Sequence, residues 1–211
     1  MTEFAYFDNS GTTAVAKEVI DEMMPFFTEK YGNPSSIHAM GDDAAKALSA
    51  ARKRMSAALG CKPSEITFTS GGTEADNLAL LGTVRNSGRK KIITSAVEHS
   101  AVLEACGILS REGYEVVILP VDRRGRVSAD DLLNAIDKRT ALVSVMAANN
   151  VIGTLQPIAE LAKIAHENGS LFHTDAVQAF TKTGIDVTRD SIDLLSVSAH
   201  KIHGPKGTGA L

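Results

Sequence analysis

Five apolar runs in this sequence each end at a residue able to do chemistry. After ITFTS comes Gly71-Gly72-Thr73-Glu74, after KIITSAVE comes His99, and after ALVSVMAA come Asn149 and Asn150. After SLFHT comes Asp175, with Gln178 three residues on; DLLSVS closes on Ser198 and leads into Ala199-His200-Lys201-Ile202-His203-Gly204-Pro205-Lys206-Gly207. In open α/β sheets ligands collect at the carboxyl ends of strands, so these are the positions to weigh first.

Two adjacent glycines let the backbone turn tightly before a helix. Bare N–H groups and the helix dipole then favour an anion such as a phosphate at Gly72, with the Thr73 hydroxyl as a further donor. The same residues also suit a plain glycine turn and a capped helix. His99 suits a helix cap as well as a catalytic imidazole, and Asn149-Asn150 suits a turn with Gly153. Asp175 is more telling, because a carboxylate closing an apolar strand is partly desolvated and needs a cationic partner. Lys201 sits directly at a strand end, where burial lowers the amine toward its neutral, nucleophilic form, as Schiff-base chemistry requires. Lys206, further into the loop, suits a solvent-facing lysine better. Together, an anion cup, a buried carboxylate, a histidine and a strand-end lysine match what pyridoxal phosphate (PLP) needs: an anchored phosphate, a ring nitrogen kept protonated and an aldehyde held by a lysine.

Positioning those groups requires a sheet, and the pattern supplies one. Val15, Val19, Met23 and Phe27, then Ala44, Ala47, Leu48, Ala51, Met55 and Leu59, keep a helical period, so two amphipathic helices are expected to open the chain, joined by the ordered loop YGNPSSIHAMG. From Ile66 on, short β-rich runs alternate with helical stretches after Gly72, over Ser100 to Arg111, near Ser128 and after Pro157. That alternation predicts a mainly parallel sheet covered by helices. AHKIHGPKG is too short for a parallel crossover, so GTGAL is expected to return antiparallel. The expected fold is therefore α/β, a mixed sheet of about seven strands. It forms one domain over 1–211 with a helical segment over about 1–60. The sequence stops at Leu211 inside that last run, as if a further, smaller domain were cut away.

With 44% hydrophobic and 22% charged residues and a net charge of −3, the composition is that of an ordinary globular domain and offers no basic field for nucleic acid. No signal-peptide pattern and no apolar run of about 20 residues is present, so a cytoplasmic protein with no membrane partner is expected. Cys61 and Cys106 lie far apart, with no Cys or His at metal-ligand spacing, and read as free thiols without a catalytic role.

FDNSGTT, YGNPSSIHAMG, FTSGGTEADN, EHSAVLEAC, NNVIGTLQP, HTDAVQAF and SVSAHKIHGPKGTGAL together resemble the cysteine desulfurases of the class V aminotransferase group, over essentially the whole chain. The resemblance implies that Lys201 carries PLP, that Asp175 pairs with the ring nitrogen and that His99 stacks on the ring and shares in proton transfer. It places Gln178 and Asn150 near the ring oxygen, and Thr73, Ser198 and His200 on the phosphate beside Gly72. It further implies an amino-acid substrate such as L-cysteine, a homodimer and a sulfur-acceptor protein. Two positions depart from the family pattern: Val151 stands where Glu is usual, and Ala147 where His is frequent. The family's sulfur-accepting cysteine and its carboxylate-binding arginine lie beyond the lysine, outside these residues. Selenocysteine lyase, aminotransferase and a non-catalytic remnant of the fold are the alternatives.

Overall fold

The computed structural model describes residues 5–211. The described residues open with two short helices, α1 (Lys17–Met23) and α2 (Pro25–Thr28), and the long α3 (Ala39–Leu59). Then β1 (Phe68–Thr69), α4 (Gly72–Asn86), β2 (Lys91–Ser95), α5 (Ser100–Arg111) and β3 (Glu115–Leu119) follow. The chain continues through α6 (Ala129–Ala135), β4 (Thr140–Ser144), α7 (Ile158–Glu167), β5 (Leu171–Asp175), β6 (Leu194–Ser198) and β7 (Gly209–Ala210).

The strands form one seven-stranded sheet in the order β1-β7-β6-β5-β4-β2-β3. All neighbours are parallel except β7, which runs antiparallel to both β6 and β1. The expected mixed sheet and the antiparallel return of GTGAL are what the chain forms.

Side chains alternate across the pleat, so successive residues serve different layers. Ile92 and Leu142 pack with α4 and α5 residues such as Leu80, Val102 and Leu109 on one face. Ile93, Val143 and Phe172 pack with Leu132, Leu161 and Ala165 on the other. Both faces are covered, which is why β2 and β4 are buried at every position rather than at alternate ones.

The opening helices differ from expectation. Val15 precedes α1, and Pro25 ends it, since proline lacks an N–H and its ring clashes with the preceding turn. Neither α1 nor α2 buries a residue, and Phe27 of the supposed apolar stripe is 67% exposed. The helical period at 15–27 is real, but among the described residues it is only partly covered: Val15, Val19 and Met23 are half-buried and Phe27 is exposed.

Candidate active site

A cleft of about 190 Å³ opens where β2, β4, β5 and β6 end and α4 begins. All nine residues singled out from the sequence line it: Gly72, Thr73, His99, Asn150, Asp175, Gln178, Ser198, His200 and Lys201. Asp76, Met146 and Val177 join them.

The glycine pair shapes one wall. Gly71 has φ 155°, a backbone that a side chain rarely tolerates, and α4 starts at the next residue. A Cβ on Gly72 would lie 2.8 Å from Val177 Cγ2, so only glycine lets the backbone come this close. The first N–H groups of α4 have no intrahelical partner, and Thr73, Ser198 and His200 stand around them. Burial, then the neighbouring Lys201 and Lys206, pushes the His200 imidazole down.

Asp175 closes β5 and is buried. Its Oδ1 accepts from the Val177 N–H at 2.9 Å, and among the described residues no other donor reaches the carboxyl group. Burial raises its pKa, while that hydrogen bond, His99 and Lys201 oppose the rise. Lys201 Nζ donates to Ser10 O at 2.5 Å and to Gly11 O at 2.7 Å, and burial followed by Lys182 holds its pKa below the ordinary lysine value. Gln178 Nε2 donates to the same Ser10 carbonyl at 2.9 Å.

The segment at Ser10–Thr13 is thus part of the site. Thr13 N–H and Oγ1 both donate to His200 O at 2.9 Å, and Thr12 Oγ1 lies 3.0 Å from His200 Nδ1. These bonds fasten the lysine loop to the start of the chain. Sequence reading gave these residues no task, because a contact between positions nearly 190 apart leaves no local pattern.

His99 caps α5, its Nδ1 accepting from the Ala101 N–H at 3.2 Å, and it lines the cleft as well. The two roles weighed for it coexist, since the cap occupies Nδ1 and leaves Nε2 free to act. Asn149 and Asn150 divide the two roles weighed for them. Asn149 Oδ1 holds the turn through the Val151 and Ile152 N–H groups at 2.9 and 3.0 Å, and Asn150 lines the cleft. Val151 is 82% exposed and Ala147 is buried; neither lines the cleft, so the acidic group absent at 151 is not missing from this wall.

Asp76 went unnoticed in the sequence, where an acid in the first turns of a helix reads as surface. It is buried, its Oδ1 has no hydrogen-bond partner, and His173 Nε2 lies 3.7 Å away. Burial, then the nearby Asp175, pushes its pKa up. His173 is held between Ser144 Oγ at 2.8 Å and Ser196 Oγ at 3.0 Å, and burial drives its pKa down to about 3, so it stays neutral. Lys206 is exposed and lines only the neighbouring groove with Gly71 and Thr73. Cys61 lies in another groove, and Cys106 is packed in the core with its thiol pushed up to about 12.

Fold and site together define an α/β protein whose sheet end offers an anion cradle, a buried acid and a lysine with a lowered pKa in one cleft. The chain belongs to the aminotransferase class-V family, whose profile matches residues 5–211. The cysteine desulfurase IscS of Methanosarcina thermophila is 54% identical over 209 residues, which are 98% of this chain and 52% of that protein. The cysteine desulfurase NifS of Azotobacter vinelandii is 48% identical, over 98% of this chain and 52% of its own length. Among solved structures, a NifS-like protein superposes with a TM-score of 0.94 at 44% identity, covering 98% of this chain and 57% of that one. SspA in complex with cysteine does so with a TM-score of 0.94 at 41% identity, over 98% and 60%. The chain spans about half the length of the curated relatives it matches.

Enzymes of this family use PLP, and the residues present fit it. The start of α4 offers N–H groups with no partner in their own helix, and Thr73, Ser198 and His200 stand around them, as a phosphate requires. The buried Asp175, which among the described residues accepts only one N–H, suits a protonated ring nitrogen.

Proposed function

We propose that the protein forms the cofactor-binding part of a PLP-dependent cysteine desulfurase, which takes sulfur from L-cysteine and leaves alanine. The observation that carries this reading is the convergence of Lys201, Asp175 and the glycine-opened start of α4 on a single cleft. When bound, PLP supplies an electron sink for charge developing at the substrate α-carbon. Thr73, Ser198, His200 and the first N–H groups of α4 would hold its phosphate, and Asp175 would keep its ring nitrogen protonated. His99 would stack on the ring, with Asn150 and Gln178 at the ring oxygen. Lys201, whose lowered pKa leaves the amine readier to act as a base, moves the proton at the α-carbon. His99, with Nδ1 occupied by the cap, handles protons at Nε2.

Desulfuration also needs a thiolate to accept sulfur and a cation to orient the substrate carboxylate. Neither a cysteine nor an arginine lines the cleft among the described residues, and this reading assigns both groups to sequence outside these residues, in a smaller second domain. The 211 residues alone would then bind the cofactor without significant turnover. A homodimer is part of the proposal. Phe7, Phe27, Tyr31 and Ile37 are 90%, 67%, 66% and 103% exposed, and so many bare large apolar side chains near the start of the chain favour a partner that covers them. A sulfur-acceptor protein and a cytoplasmic setting complete it, the latter in keeping with two unpaired cysteines.

Borohydride reduction after incubation with PLP, followed by peptide mapping, is the test. A pyridoxyl group on Lys201 is expected. A label on Lys206, or none at all with PLP in excess, would overturn the reading.

A further inference from the structure

Glu98 makes no contact within the cleft, yet it joins the two strand ends that form part of its walls. The β2–β4 ladder stops at Thr94↔Ser144, short of the segments that lead into the cleft. Glu98 is buried in the gap. Its Oε1 accepts from Ser95 Oγ at 2.5 Å and from the Met146 N–H at 3.0 Å, and Oε2 is 3.1 Å from that same N–H. One residue on from this clasp stands His99, and Met146 itself lines the cleft. A second bond joins the same two segments in the same sense, from Asn149 Nδ2 to Val97 O at 2.9 Å. The strand end that leads to His99 is therefore tied at two points to the one that leads to Asn150, once through a side chain of each segment.

A carboxyl group is a costly choice for a buried position that an apolar side chain could fill, since its polar atoms must be desolvated. What it adds is reach and direction: a carboxyl group whose Oε1 meets the Met146 N–H across a gap where the ladder has ended. We propose that Glu98 is a positioning residue which sets the separation between the His99 wall and the Met146–Asn150 wall, and so the width of the slot open to a flat ring. This rests on the PLP reading above, because the slot matters only if a ring enters it.

The test compares the unsubstituted protein with Glu98→Gln, which keeps an acceptor at the same reach, and with Glu98→Ala, which removes it. PLP affinity is measured by absorbance titration and ring orientation by circular dichroism in the cofactor band, with thermal unfolding alongside. Glu98→Gln should stay within about threefold of the parent, while Glu98→Ala should bind at least about tenfold more weakly with a reduced cofactor band, as expected when a ring-binding wall shifts by a fraction of an ångström. A purely structural role would lower the melting temperature and leave both readouts of the folded protein unchanged, and that result overturns the proposal. So does equal loss in Gln and Ala. Should Glu98→Ala fail to fold, Glu98→Asp, which keeps the acid but shortens its reach, is judged by the same readouts. A parent protein that takes up no PLP defeats the PLP reading itself, a result distinct from a parent that binds and variants that bind alike.

Discussion

Glu98 also makes the stability of the fold depend on pH, and Glu98→Gln should remove that dependence. Burial moves its pKa from the usual 4.5 to about 8, against the opposing hydrogen bonds from Ser95 and Met146. Ionising it inside the fold therefore costs about 5 kcal/mol more than ionising it in the unfolded chain. Because the folded value is the higher one, the folded protein keeps a proton that the unfolded chain gives up between those two pH values. The contribution is complete below pH 4.5 and is lost as pH rises toward 8 and past it. Between pH 5.5 and 8.5 the loss comes to about 3 kcal/mol, with a slope near 1.4 kcal/mol per pH unit in the middle of the range. Asp76 and Asp175 are shifted in the same direction, so the unsubstituted protein should weaken with pH by more than this. Glu98 adds to the rise at Asp76 and Asp175 adds to the rise at Glu98, so the substitution relieves part of that share too and the difference between the two proteins includes it. Denaturant unfolding at matched ionic strength should show Glu98→Gln gaining on the parent by about 3 kcal/mol across that interval, roughly 6–12 °C in melting temperature. Parallel stability curves would refute the reasoning, because they would mean that Glu98 is ionised in the folded protein throughout.

Lys201→Ala should abolish the borohydride-fixed pyridoxyl label while leaving the melting temperature within a few degrees, since the half-buried amine contacts only the Ser10 and Gly11 carbonyls; loss of the fold in that variant would assign the lysine to structure. Asp175→Asn should still bind PLP but with a much reduced rate in the full-length enzyme, because an amide does not hold a ring nitrogen protonated; an unchanged rate would remove that role from the carboxylate. Gly72→Ala should cost about 1–3 kcal/mol from its collision with Val177 and weaken PLP binding at least as strongly; normal affinity in calorimetry would show that the phosphate sits elsewhere.

What could be read from the sequence was local in origin. Helix α5 is expected over Ser100 to Arg111 and found there, because its apolar spacing and the strand before it are contained in one stretch of chain. The Gly71-Gly72 turn was likewise legible from adjacent residues alone. Helix α1 shows the limit: its period is genuine, but how far a face is covered depends on what lies against it, and here Val19 and Met23 are no more than half-buried. Asp76 shows another. Only the placement of α4 over the ends of β5 and β6 turns a helix acid inward toward Asp175 and His173, and sequence spacing carries no record of that placement. The bonds from Lys201 to Ser10 and Gly11 are of the same kind, formed when β6 delivers its loop to the start of the chain.

The direction of the pKa shifts ties these particulars to the ligand. Burial raises the acids Asp76, Glu98 and Asp175 and lowers the bases His200 and Lys201, so each of these five is pushed toward its neutral form. A site that worked by its own fixed charges would be arranged the other way, with acids and bases paired tightly enough to stay ionised. Glu98 accepts from Ser95 Oγ and the Met146 N–H, whereas among the described residues Asp175 accepts one N–H and the first N–H groups of α4 have no carbonyl of their own helix to bond. The unmet capacity is therefore for a proton-bearing cation at the end of β5 and for an anion at the start of α4. A ligand with only one of those features would leave the other group desolvated and unpaired, at a cost of several kcal/mol for a charged group. A protonated pyridine that carries a phosphate meets both needs with one rigid molecule, which is the physical reason to expect PLP rather than a simple phosphate or a simple amine in this cleft.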